Sequence, residues 1–178
     1  AWLERRHNAN PNARRIFDEG NHEDRFRRWL WKYGDELHGL RALSVQSLLG
    51  LDEIGTDYLP YRSVINLLGF HIEHGYKASA SQAYPTNVSR WMAIAKASSG
   101  LVGHTHRASI YCWSTPQSSH TFIENGCLCL KALEYAPFPN WQHAFTYGIV
   151  KDNQFHPELV RPFGTGFFAN GEWYGLKK

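Results

Sequence analysis

Leu101-Val102-Gly103-His104-Thr105-His106 is a short apolar stretch that runs into a glycine and then into two histidines one residue apart. Ahead of it, the spacing of apolar residues predicts a helix from about Val88 to Ala97, capped by Thr86 or Asn87. Leu101 and Val102 then read as a very short strand that delivers the two histidines at its carboxyl end. In extended chain, residues i and i+2 point the same way about 7 Å apart. Imidazoles placed so can serve two neighbouring ions, which in dinuclear sites lie roughly 3.5–4 Å apart. Taken alone, the pair fits ordinary loop residues as well as it fits ligands.

The same arrangement recurs upstream. Val64 to Phe70 is a continuous apolar run of strand length, and it leads through His71-Ile72-Glu73 to His74-Gly75. His71 reads as a strand residue; His74 alone would pass for a loop or core histidine. Further back, a strand expected from Arg14 to Asp18 enters Gly20-Asn21-His22-Glu23. Glycine there lets the backbone turn sharply. The Asn21 side chain offers a neutral oxygen ligand and an amide donor, and His22 is a residue type suited to protonating a leaving oxygen. Glu23 fits a loop anchor better than a reacting group. By itself the stretch reads better as a turn with an exposed histidine. A basic amphipathic helix follows, with Phe26, Trp29, Leu30 and Tyr33 at helical spacing, and Ser44 to Leu51 holds another helical turn or two. The opening segment reads as a helix end carrying Trp2 and Leu3, stopped around Asn10-Pro11-Asn12.

Beyond His106 the pattern is strand-like: Ser109–Trp113, Thr121–Ile123, Leu128–Leu133, Ala144–Val150 and Phe155–Pro162, with a Gly-rich aromatic tail from Gly164 to Gly175. Helices alternate with strands first and a run of strands follows. The order predicts an α/β sandwich of mixed sheets with helices outside, in which ligands gather at the carboxyl ends of strands. No repeat, low-complexity tract or Pro/Gly linker divides residues 1–178, so a single domain is expected.

With 43% hydrophobic and 20% charged residues, the composition is that of a soluble globular protein. The formal charge of +3 does not mark a nucleic-acid binder. Arg14, Arg15, Arg25, Arg27 and Arg28 could track a phosphate backbone, but Asp18, Glu19, Glu23 and Asp24 are interleaved with them and favour a helix laced with ion pairs. The three cysteines give no even disulfide framework. Cys127 and Cys129, two apart in an apolar run, read as buried strand thiols in a reducing compartment. No stretch approaches the roughly 20 apolar residues of a membrane span. Residues 1–16 are polar and Arg-rich rather than leader-like, so a cytoplasmic location is expected.

Gly20-Asn21-His22-Glu23, His74-Gly75 and Gly103-His104-Thr105-His106, in that order, resemble the third, fourth and fifth signatures of the calcineurin-like metallophosphoesterase family. The resemblance covers about residues 14 to 130. Phe122 to Cys127 is similar to the family's strand-and-glycine turn after the last metal motif. The tail around Asn140-Trp141-Gln142 resembles the C-terminal region of phage-type members.

The resemblance implies a β-sandwich flanked by helices (αββα) and metal-dependent hydrolysis of phosphate esters at a dinuclear centre. Asn21, His74 and His104 would bind one ion and His106 the other, with His22 catalytic and Arg25 on a substrate phosphate. Two divalent ions are implied, manganese first, with iron, zinc or nickel also accepted by such a ligand set. The substrate would be a phosphate monoester or diester, and the oligomeric state is left open.

The chain departs from the family in one respect. The family's Asp-x-His and Gly-Asp-x-x-Asp signatures precede the Gly-Asn-His loop, and residues 1–19 contain neither. Gly34-Asp35 falls after the loop, at the end of a helix. The expectation is therefore a C-terminal portion of the domain, inactive alone, unless Asp18, His7 or another subunit substitutes for the missing ligands. Rival readings are a non-catalytic metal-binding or interaction scaffold on the same fold and a nuclease-type phosphodiesterase acting on nucleic acid. A zinc-only structural module would need closely spaced, Cys-rich ligands, which this pattern does not supply.

Overall fold

The structure is a computed structural model that describes residues 8–34, 36–75, 88–130 and 140–175. Trp2, Leu3, His7, Asp35, the expected caps Thr86 and Asn87, and residues 131–133 of the strand expected at 128–133 lie outside the described residues. The chain divides into two compact units, Ala1–Ser63 and Val64–Lys178. The class is mixed α/β, with more sheet than helix.

In the first unit, strand β1 (Arg15–Asp18) pairs in parallel with β2 (Thr56–Leu59), in the register Arg15↔Thr56 to Asp18↔Leu59. Parallel neighbours need a crossover of a dozen or more residues. Helix α1 (Asn21–Tyr33), a 3₁₀ turn at Arg41–Leu43 and helix α2 (Val45–Leu48) supply it. Ser44 caps α2, its hydroxyl accepting from the Ser47 amide at 3.2 Å. Helix α1 buries Asp24 and Leu30, whereas Trp29 and Tyr33, expected on its apolar face, are 55% and 63% exposed. The two rings instead pack on each other along the helix surface, centroids 5.9 Å apart, because residues i and i+4 are neighbours there. The expected ion-pair lacing is present: Asp24 pairs with Arg27 and Arg28, and Arg27 also approaches Glu19.

In the second unit, five strands form a sheet ordered β3-β4-β5-β7-β6: β3 (Ile65–Leu67), β4 (Phe70–Glu73), β5 (Ser99–Val102), β6 (Ala108–Ser114) and β7 (Ser119–Asn125). The central pairs β4–β5 and β5–β7 are parallel and the outer pairs antiparallel. Helix α3 (Val88–Lys96) lies between β4 and β5 in sequence. Its Val88, Met92 and Ala93, spaced at one helical face, form the core with Val102 of β5 and Phe122 of β7. Each of the larger of these side chains is worth about 1.5–3 kcal/mol when fully buried. Two further hairpins follow, β8 (Phe145–Lys151) with β9 (Gln154–Val160) and β10 (Gly166–Ala169) with β11 (Glu172–Gly175). Phe70 of the large sheet meets Phe155 edge-on at 5.1 Å, and Phe145 meets Phe167 at 5.1 Å.

Two expectations are corrected. The apolar run Val64 to Phe70 is not one strand but the first arm and turn of a hairpin, with Leu67 paired to Phe70. Leu68 and Gly69 take φ of 52° and 84°, and the Gly69 amide donates to Asn66 Oδ1 at 2.8 Å. Positive φ at both central residues makes the tight turn that matches strand twist. Second, Leu128, Cys129 and Leu130 are not in a strand. Gly126 turns the chain out of β7 at φ 68°, Cys127 keeps one isolated parallel bridge to His143, and Cys129 is exposed. The thiols are therefore not buried strand residues.

Candidate metal site

His74 and His104 follow the carboxyl ends of the adjacent parallel strands β4 and β5. The pairing of Glu73 with Val102 brings the two chain exits side by side. Beyond it, the His74 carbonyl accepts both the Gly103 amide (3.3 Å) and the His104 amide (2.9 Å). Gly75 makes this approach possible. Its φ is 87°, and a Cβ there would stand 2.7 Å from the Val102 side chain, so only glycine leaves the exit open.

The two half-buried imidazoles converge, His74 Nε2 and His104 Nδ1 lying 3.0 Å apart with ring planes at 73°. Two nitrogens each about 2.1 Å from one ion, at right angles, are separated by about 3.0 Å, so the pair fits adjacent positions on a single cation. The same spacing suits an imidazole–imidazole hydrogen bond in which one ring donates and the other accepts. The pair is thus compatible with two adjacent positions on one cation, at the place where strand ends put ligands.

The turn bearing His104 is held from behind. Thr105, the residue after His104, donates its hydroxyl to Glu124 Oε1 at 2.7 Å, and Ser109 Oγ donates to Glu124 Oε2 at 2.7 Å. Arg107 Nη2 lies 3.3 Å from the same carboxylate, and the Ser89 amide at the start of α3 donates to it at 3.3 Å. Glu124 is 1% exposed; an ionised carboxylate so buried is tolerable only with this set of donors. His106 takes a left-handed backbone, φ 58°, and its ring stands edge-on to Trp141 at 4.6 Å. That conformation turns His106 away from the simple i, i+2 pattern expected of extended chain: the strand ends at Val102, and Gly103 to His106 is a turn closed by the His106 amide on the Gly103 carbonyl (3.2 Å).

Asn21 and His22 lie in the first unit, as the first two residues of α1. Gly20, straight after buried Glu19, is the residue before the helix. Its amide donates to Glu23 Oε2 at 3.1 Å, so Glu23 anchors the helix start, as expected. Glu19, fully buried, accepts from Tyr58 Oη and from the Tyr61 amide at 2.8 Å, which ties the strand end preceding the motif to β2 and the residues after it. Asn21 is half-buried; His22 and Arg25 are exposed. Asp18 is the last residue of β1 and half-buried.

The sequence reading missed one group. His106, Cys127 and Cys129 place an imidazole nitrogen and two sulfurs all within 4.8 Å of one another. The spacing of Cys127 and Cys129 was visible, but nothing in the chain marked their approach to His106. No protein-family model matches the chain, and no curated protein does.

Proposed function

We propose that the protein hydrolyses phosphate esters with the help of divalent metal, and that His74 and His104 hold one ion. The observation that carries the reading is the 3.0 Å convergence of their ring nitrogens beyond the ends of two adjacent parallel strands. Support comes from the three histidine motifs, whose order resembles that of the calcineurin-like metallophosphoesterases, and from the α/β class. The αββα sandwich belongs to the same proposal, whose metal part is confined to the ion held by His74 and His104.

A divalent ion held by His74 and His104, manganese being the first choice, would supply Lewis acidity toward a phosphoryl group and a lowered pKa for water. The protein's part is to present lone pairs and protons in fixed positions. His74 and His104 must both be neutral and turn the facing nitrogens into acceptors, which places their protons on His74 Nδ1 and His104 Nε2. Glu124 fixes Thr105, the residue after His104, and so holds the turn that carries the His104 imidazole. His22, exposed in the first turn of α1, is free to protonate a leaving oxygen and so offset the charge developing on it. Arg25, exposed on the same helix, would meet a substrate phosphate.

The test is hydrolysis of aryl phosphate monoesters and diesters with and without manganese, on the wild type and His22→Ala. Provided the ligands absent from the motif set are replaced, manganese-dependent release is expected, falling by about 10²–10⁴-fold in the variant while its bound manganese stays the same. Equal turnover in both proteins would contradict the role of His22. Metal lost together with activity would make His22 a ligand instead of an acid.

A further inference from the structure

We propose that His106, Cys127 and Cys129 form a metal site of their own chemistry, one that takes a thiophilic divalent cation such as zinc. The inference goes beyond phosphate-ester hydrolysis and does not rest on it: an N/S₂ set binds zinc whether or not an ester is ever cleaved.

The three ligand atoms lie within 4.8 Å of one another. In a tetrahedral zinc site the corresponding sulfur–sulfur and sulfur–nitrogen separations are about 3.6–3.8 Å. Closing the difference takes a side-chain adjustment of about 1 Å, which needs no change of backbone. Two thiolates and an imidazole are the soft to borderline donors that favour zinc over manganese or magnesium.

The backbone around the group is stitched in a way that holds the ligands together. The Gln142 amide donates to the His106 carbonyl at 3.0 Å, the Cys127 amide to the Gln142 carbonyl at 3.0 Å, and the Ala144 amide to the Cys127 carbonyl at 3.2 Å. One short segment therefore carries both ligand-bearing turns. The His143 ring bonds the Cys129 carbonyl through Nε2 at 2.8 Å, which fixes the second thiol's backbone, and Trp141 stands against the His106 ring. Gly126 lets Cys127 reach this position: at φ 68°, a Cβ there would lie 2.6 Å from the Ala144 Cβ. The Cys127 thiol lies 3.7 Å from the Gln142 carbonyl, a weak contact that a bound cation replaces.

On binding, each thiol releases its proton to solvent and each sulfur donates an electron pair to the ion. Three protein ligands leave a fourth position for water or an anion, the pattern of reactive rather than purely structural zinc sites.

Cobalt(II) tests the proposal directly, because thiolate ligands to cobalt give a charge-transfer band in the near ultraviolet that oxygen and imidazole ligands do not. The fully reduced protein, titrated with cobalt without air, is expected to develop the band and to lose it when zinc is added. Cys127→Ser/Cys129→Ser should abolish the band, and His106→Gln should weaken cobalt binding by about tenfold or more. Cys112→Ser and His74→Ala should leave it intact, and circular dichroism checks that each variant is folded. Cys129→Ser alters an exposed side chain and serves as the single variant if the double one unfolds. Absence of the band in the wild type, or its persistence without both thiols, overturns the proposal. So does unchanged affinity in His106→Gln, or a Cys127–Cys129 disulfide that forms in place of metal binding.

Discussion

Glu19 and Glu124 each stand behind a turn that carries candidate ligands, and each is buried with its charge shared among several donors. Their partners show what such a residue asks of its surroundings. Tyr58 gives its hydroxyl proton to Glu19; burial first, then that hydrogen bond, push the phenol well above its ordinary value of about 10. A folded-state pKa raised in this way contributes stability that is fully present below about pH 10 and fades as pH rises beyond it. Tyr58→Phe should therefore lower unfolding stability by about 1.5–3 kcal/mol near neutral pH. The difference from wild type should shrink as denaturation is repeated above pH 10. A pH-independent difference would mean that packing of the ring, rather than the hydrogen bond, is what the substitution removes.

Among the elements, Ala144–Val150 and Phe155–Pro162 were legible as strands and pair as β8 and β9, whereas the tail from Gly164 to Gly175, read only as Gly-rich and aromatic, holds the hairpin β10–β11. Asp152-Asn153 and Asn170-Gly171 take the positive φ such turns need. Leu68-Gly69 makes the same kind of turn inside an apolar run, so the run read as one strand. Gly75 is tightly constrained beside the candidate site, with φ 87° and the Val102 side chain 2.7 Å from where a Cβ would stand. Gly75→Ala forces a Cβ into Val102 at an unfavourable φ, and the expected result is a loss of more than about 1 kcal/mol. Manganese affinity should fall with it, because the His74 exit can no longer lie against Gly103 and His104. Calorimetric unfolding and a manganese titration check the two effects; unaltered affinity would separate the turn from the site.

For the molecule as a whole, α/β order was readable because apolar runs alternate in length and period, with Gly-His sequences straight after them. That is why the strand-end positions of His74 and His104 could be placed from residues alone. Their convergence could not be: it depends on β4 and β5 being parallel neighbours in register, a pairing made across the intervening helix. The thiol group was further out of reach, since Cys127 meets His106 through the pairing of β6 with β7, continued by the Gly126 amide on the Arg107 carbonyl, and through residues 142–144. Asn21 and His22 belong to one compact unit and His74, His104 and His106 to the other, so the account's central claim is the narrower one, that the His74–His104 pair holds a metal ion. The measurement that tests it most directly is manganese retained per chain after loading and desalting, on the wild type and on His104→Ala. The account predicts about one tightly held manganese in the wild type and none in the variant, since the thiol group favours zinc. Equal manganese in the two proteins, or none in the wild type, would contradict it and leave the 3.0 Å contact as a hydrogen bond between two rings.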